Sequence, residues 1–225
     1  MFGGADVSQK QGVEQVVEVP LAEIHPFRNH PFKVLDDDKM KETVESIKSY
    51  GVLMPGIVRP QAEGGYEMIA GHRRKRGREL AGKNNMPVFV RNYSDDEATI
   101  IMVDSNIQRE DILPSEKAKA YKMKFEAMKH QGSKNNTSGK SSLDEIEEAA
   151  GESGKTIQWY IWLSRLTDTL LDMLDNKKLG IVQGVDISYL SEAEQVWEQD
   201  FVKEQSVNVS STQSAQLKEY GKRAN

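Results

Sequence analysis

Residues 131–142 read QGSKNNTSGKSS, twelve positions without one apolar side chain to bury. A run of that composition is expected to be a flexible linker, so the chain on either side must find a core of its own. The 225 residues suffice for two small modules. Before the run, strand and helix patterns alternate; after it, the pattern is helical throughout. The expected architecture is α+β: a mixed N-terminal domain over 14–130, the linker, and an all-α domain over 143–203. A flexible arm over 1–13 and a mobile polar tail over 204–225 flank them.

Within the first module, residues 14–20 (EQVVEVP) read as a strand ended by proline. The segment IHPFRNHPF reads as an irregular loop. Met40, Val44 and Ile47 recur at helical spacing over 36–50, with Gly51 as C-terminal cap. GIVRP (56–60) and YEMIA (66–70) predict a hairpin around Glu63, Gly64 and Gly65. Gly71 then opens a helix to about Ala81, residues 87–91 form another strand, and two helices start at Asp95 and Pro114. In the second module the periodicity predicts helices over 143–150, 155–166, 168–176 and 191–203.

The chain has no cysteine, which excludes disulfides, thiolate metal sites and cysteine nucleophiles. His25 and His30 are separated by prolines and have no carboxylate at ligand spacing, so no tightly held transition metal is expected. No stretch approaches the roughly 20 apolar residues of a membrane helix, and the first dozen residues lack a secretory signal. The expectation is a cytoplasmic protein with no membrane partner. A net charge of −5 does not advertise nucleic-acid binding, so local clusters must carry any such function.

One cluster stands where the strand ending at Ala70 turns through Gly71 into HRRKR. A helix start presents unpaired N–H groups and partial positive charge, and His72, Arg73, Arg74 and Arg76 add more. Cations at that end are unfavourable unless an anion joins them, which points to a phosphate chain; the plain alternative is a solvated helix face. Further on, Ser105, Asn106, Gln108 and Arg109 close a helix with groups able to reach a phosphate or a metal-bound water.

The run SLDEIEEAAGESGKTIQWYIWLSRL has helix-turn-helix spacing, with Ile146, Ala150, Ile157 and Ile161 inward and Gly151 in the turn. Lys155, Thr156 and Gln158 would face bases in a major groove, with Arg165 following. Against this, Asp144, Glu145, Glu147, Glu148 and Glu152 outweigh Lys155 and Arg165. Glu147 also stands where a small residue usually packs. Trp159 and Trp162 are open to two readings, a protein-binding stripe or core.

YGVLMPGIVRP, AGHRRKRGRELAG and DSNIQREDILPSEKAKAY together resemble, in order, the boxes of the ParB family. The resemblance covers about residues 15 to 175. It implies a ParB/sulfiredoxin-like N-terminal domain that binds CTP with magnesium, followed by a helix-turn-helix domain that binds double-stranded DNA in partition of a chromosome, plasmid or mobile element. By the same resemblance Gly71, Arg73 and Arg74 contact the triphosphate, while Asn106 and Arg109 help hold magnesium and phosphate. A ParA-type ATPase, engaged through an arm whose sole basic residue is Lys10, and a homodimer are the further partners it implies. His72 and Ser105 replace the family's glutamates, so at most weak CTPase activity is expected. Phe32 stands where the family's early loop has arginine. Sulfiredoxin chemistry itself needs a cysteine and is excluded. Two other readings use the same modules: a transcriptional regulator or nucleoid-occlusion-like protein, and a phosphoryl-transfer enzyme with His72 as base.

Overall fold

The computed structural model describes residues 15–109, 111–135, 142–205 and 209–224. Contacts divide them into two compact units. The first runs up to Phe27 and resumes over Val34–Asn92; the second takes Arg28–Lys33 and everything from Tyr93 onward.

The first unit is a five-stranded mixed sheet with two helices. Its strands are β1 (Val16–Pro20), β2 (Ile24–His25), β3 (Gly56–Pro60), β4 (Tyr66–Ala70) and β5 (Asn85–Val90), in the order β1-β5-β3-β4-β2. The predicted hairpin forms: β3 and β4 are antiparallel, with Pro60 opposite Tyr66 and an irregularity between Ile57 and Val58. The loop read as irregular contributes β2, which lies parallel to β4. Two residues are too few for any side-chain period to register. The sheet buries Val19, Leu21, Ile24, Val58, Met68, Met86 and Val88. Helix α1 (Asp38–Tyr50) buries Met40, Val44 and Ile47, as its periodicity predicts. Helix α2 (His72–Leu80) approaches α1 closely at Gly77, where a Cβ would lie 2.8 Å from Ile47 Cδ1.

The second unit is helical: α3 (Asp95–Ile107), α4 (Pro114–Asn135), α5 (Ser142–Ala150), α6 (Gly154–Leu163), α7 (Asp168–Asp175), α8 (Ile181–Ile187), α9 (Glu192–Gln205) and α10 (Ser211–Ala224). Ser94 starts α3 with a capping box, its side chain bonding Glu97 reciprocally. Leu163, Leu170, Leu174, Val185 and Ile187 lie in a core that also takes Ala118 of α4.

Four expectations need correction or relocation. The α+β domain over 14–130 is not one compact unit, because contacts part the chain at Asn92 and tie α3 and α4 to the later helices. The linker expected from residue 131 begins later, since α4 continues to Asn135; residues 136–141 and the arm over 1–13 lie outside the described residues. Helix α8 went unread because Gly180 and Gly184 interrupt its pattern. Gly184 is there for contact, as a Cβ would meet Leu163 Cδ2 at 2.7 Å. The polar tail contains α10, docked by polar groups: buried Ser214 donates to Asp186 at 2.9 Å and Lys218 Nζ to Asp186 at 3.0 Å. Apolar periodicity is blind to such docking, although Ser210 and Gln213 form a legible S-x-x-Q cap.

Candidate functional site

The first unit builds one candidate around the end of β4. Gly71 has φ +112 and ψ 18, a backbone conformation costly for any residue with a Cβ. A Cβ there would also lie 3.3 Å from Gly56 Cα and 3.2 Å from Arg74 Nη2. Gly56 is equally constrained, its own missing Cβ falling 2.9 Å from Met86 Cε. The start of β3 and the end of β4 therefore abut, and the chain leaves the sheet straight into α2. No side chain caps α2 and its first turn holds no acid, so the positive end of its dipole favours an anion.

The arginines of this turn have distinct fates. Arg74 folds back and donates from Nη1 to the Met54 carbonyl and, at 2.8 Å, to that of Pro55. Burial lowers its pKa. Arg76 is bidentate on Asp36, at 3.0 and 2.6 Å, and reaches Glu79 at 3.3 Å; its pKa is raised, chiefly by Asp36. Arg73 has a single longer bond, 3.3 Å from Nη2 to Asp37 Oδ1. Asp37 is also the N-cap of α1, accepting from the Met40 amide at 2.8 Å. That amide first, and Arg73 next, hold its carboxyl below the ordinary range. Asp36 and Asp37 are thus part of the site, and sequence reasoning missed them. The imbalance of charge on α2 was legible, but its partners lie 36 to 40 residues upstream. Both ring nitrogens of His72 are buried.

Asn106 and Arg109 belong to the second unit, and each is held locally. Asn106 Nδ2 donates to the Met102 carbonyl at 2.9 Å and to Ser105 Oγ at 3.1 Å. The Arg109 amide donates to the Asn106 carbonyl at 3.0 Å. The positive charge of Arg109 acts on His30, whose pKa lies below 6.5 mainly through burial. Phe32 is a buried core residue at 3% exposure.

The helix-turn-helix forms from α5, a turn at Gly151 (φ +68) and α6. Ile146, Ile157 and Ile161 are buried, whereas Ala150 is only half-buried. Ser153 caps α6, accepting from the Thr156 amide at 3.2 Å. Its hydroxyl is also 2.9 Å from that of Thr156. Lys155 is exposed, with its ammonium 5.1 Å from the Trp159 ring centroid, and Gln158 is half-buried. Arg165 is exposed but falls beyond α6, which ends at Leu163 rather than continuing to Leu166. Trp159 and Trp162 are half-buried and pack against the core. The Glu147 carboxylate reaches over Gly154, where a Cβ would lie 2.7 Å from its Oε2. The acidic balance is softened by Lys117 of α4, which bonds Glu152 in the turn.

Among the described residues no three His, Asp or Glu side chains gather at metal-binding geometry, and no helix is long and apolar enough to cross a membrane.

Residues 5–107 match the model of the ParB N-terminal domain. The chain is 29% identical over 194 residues to the chromosome-partitioning protein Spo0J of Thermus thermophilus, covering 86% of this chain and 67% of that protein. It is also 29% identical over 185 residues to a nucleoid occlusion protein of Listeria innocua, covering 80% and 61%. Among solved structures, the C-terminally truncated ParB of Caulobacter crescentus, complexed to the centromeric parS site, shares the fold with a TM-score of 0.51 and 20% identity. That likeness covers 92% of this chain and 99% of the other.

Proposed function

We propose, since the chain belongs to the ParB family, that it is a partition protein whose helix-turn-helix binds a specific DNA site and whose first unit holds CTP. The observation that carries the nucleotide half is the uncapped start of α2, opened by Gly71 at φ +112 and loaded with cations. In this reading the first-turn amides and Arg73 take the phosphates, while Arg74 keeps the Met54–Pro55 turn closed against the strand end. Asn106 and Arg109, in the second unit, are assigned to magnesium and phosphate by the family resemblance alone. His72 and Ser105 supply no carboxylate to order an attacking water, so turnover is slow or nil.

On the DNA side, Lys155, Thr156 and Gln158 present ammonium, hydroxyl and amide groups from the first turns of α6, and Arg165 adds a phosphate contact from the turn beyond. The test is a gel-shift titration against genomic fragments with and without CTP and magnesium. A retained fragment whose occupancy changes with CTP is the expected result, and no retained fragment at low salt overturns it. Arg165→Ala, which removes the phosphate contact, should weaken binding and lower the slope of log affinity against log salt by about 0.9, whereas Lys155→Ala should weaken binding chiefly to the preferred site.

Identity to nucleoid occlusion proteins favours one second reading, a DNA-bound regulator that segregates nothing. Mapping the bound sites in cells separates the two. The phosphoryl-transfer reading would use His72 as base, and loss of an activity on replacing His72 by alanine is its test; both ring nitrogens of His72 are buried. Engagement of a ParA-type ATPase and homodimerisation follow from the family and are tested by ATPase stimulation and by sedimentation; Lys10, the basic residue of the arm, lies outside the described residues.

A further inference from the structure

We infer that Asp37 is a placeholder anion: it holds Arg73 until a polyphosphate displaces it, and so sets how many negative charges a ligand needs to enter the site. This inference rests on the phosphate reading of α2 given above. Arg73 and Arg76 sit three residues apart on one helix face, and each is met by a carboxylate from the segment just before α1. The two contacts are unequal. Arg76 is gripped by both oxygens of Asp36, a fork geometry that is hard to displace. Arg73 meets one oxygen of Asp37 at 3.3 Å, the long end of a hydrogen bond.

Asp37 can release Arg73 without cost to its own helix, because the same carboxylate is bound independently by the Met40 amide. With side chains 25% and 40% exposed, the pair lies where solvent weakens ionic contacts. A triphosphate outcompetes one carboxylate through charge and through the first-turn amides, which Asp37 does not engage. A singly charged anion gains nothing over it. Asp37 thereby discriminates against weak anions, while Asp36 and Arg76 keep the segment in place.

The decisive variant is Asp37→Asn, because asparagine caps a helix as well as aspartate and removes only the charge. Wild type and variant are titrated calorimetrically with CTP and magnesium, and separately with inorganic tripolyphosphate and inorganic phosphate. The expected result is an affinity for CTP and tripolyphosphate about two- to five-fold tighter in the variant, with inorganic phosphate newly detectable. Unchanged or weaker binding of the polyphosphates by the variant, with wild type binding normally, overturns the placeholder role and leaves the nucleotide reading intact. Tighter tripolyphosphate binding with no CTP binding by either protein keeps the placeholder and overturns the nucleotide reading. No binding by either protein overturns both. Asp36→Asn serves as control, expected to lower the thermal midpoint without the same gain in affinity.

Discussion

Two helix starts in this protein solve the same physical problem in opposite ways. Any α-helix begins with amides that lack an intrahelical acceptor. At α6 the chain supplies the acceptor itself: Ser153 takes the Thr156 amide, and the exposed Lys155 of the same turn lies beside the Trp159 ring. At α2 it supplies none. A left-handed glycine occupies the cap position, no acid follows, and the nearest carboxylates come from another segment. A helix satisfied by its own cap has no use for an anion at its axis and works through its side chains, as a DNA-reading helix does. A helix left without a side-chain cap presents the positive end of its dipole to whatever acceptor comes from outside.

The contrast is broken most severely at Gly71. Gly71→Ala forces a Cβ into a positive-φ backbone and against Gly56, and should cost about 2 kcal/mol in urea unfolding together with nucleotide binding. Full stability in that variant would mean that the turn relaxes freely and is not built for the site. Removing the opposite solution is milder. Ser153→Ala should cost about 1 kcal/mol and weaken DNA retention, because the start of α6 frays; retained stability with lost DNA binding would instead assign Ser153 a direct contact.

The second unit carries a pH dependence at His30. His30 is held below its ordinary 6.5, first by burial and then by the charge of Arg109, against the opposing Phe32 carbonyl and Glu116. Between the lowered value and 6.5 the unfolded chain binds a proton that the folded chain refuses, so this contribution is whole above 6.5 and lost as pH falls through the window. Denaturation midpoints of wild type and His30→Gln over that range should converge as the pH is lowered, and parallel curves would show that the ring is not the cause. The smallest effect is expected at Gly154. Alanine there meets only the mobile end of Glu147, so Gly154→Ala should change stability by less than about 0.5 kcal/mol. A larger loss would mean that the Glu147 carboxylate is fixed where it stands.

Much of this was readable in advance where neighbours in sequence are neighbours in space. The β3–β4 hairpin, the core face of α1 and the inward isoleucines of α5 and α6 follow from period and punctuation alone. The strand-to-helix turn at Gly71 was equally legible, as was the excess of positive charge after it. Helix α10 was half legible, announced by its Ser210 and Gln213 cap but hidden by a polar docking face. What escaped was every pairing across a long separation. Asp36 and Asp37 on the arginines, Lys117 on Glu152, and Glu147 over Gly154 all changed the meaning of residues already singled out.

By itself, then, the order of residues determined where helices begin, what caps them and which of their faces are apolar, because these depend on torsions and hydrogen bonds within a few positions. Which charge neutralises which, and therefore whether an arginine is clasped or waiting, was decided only by the folded chain. Coulomb attraction acts through space, and residues 36 to 40 apart become partners only once packing has brought them together.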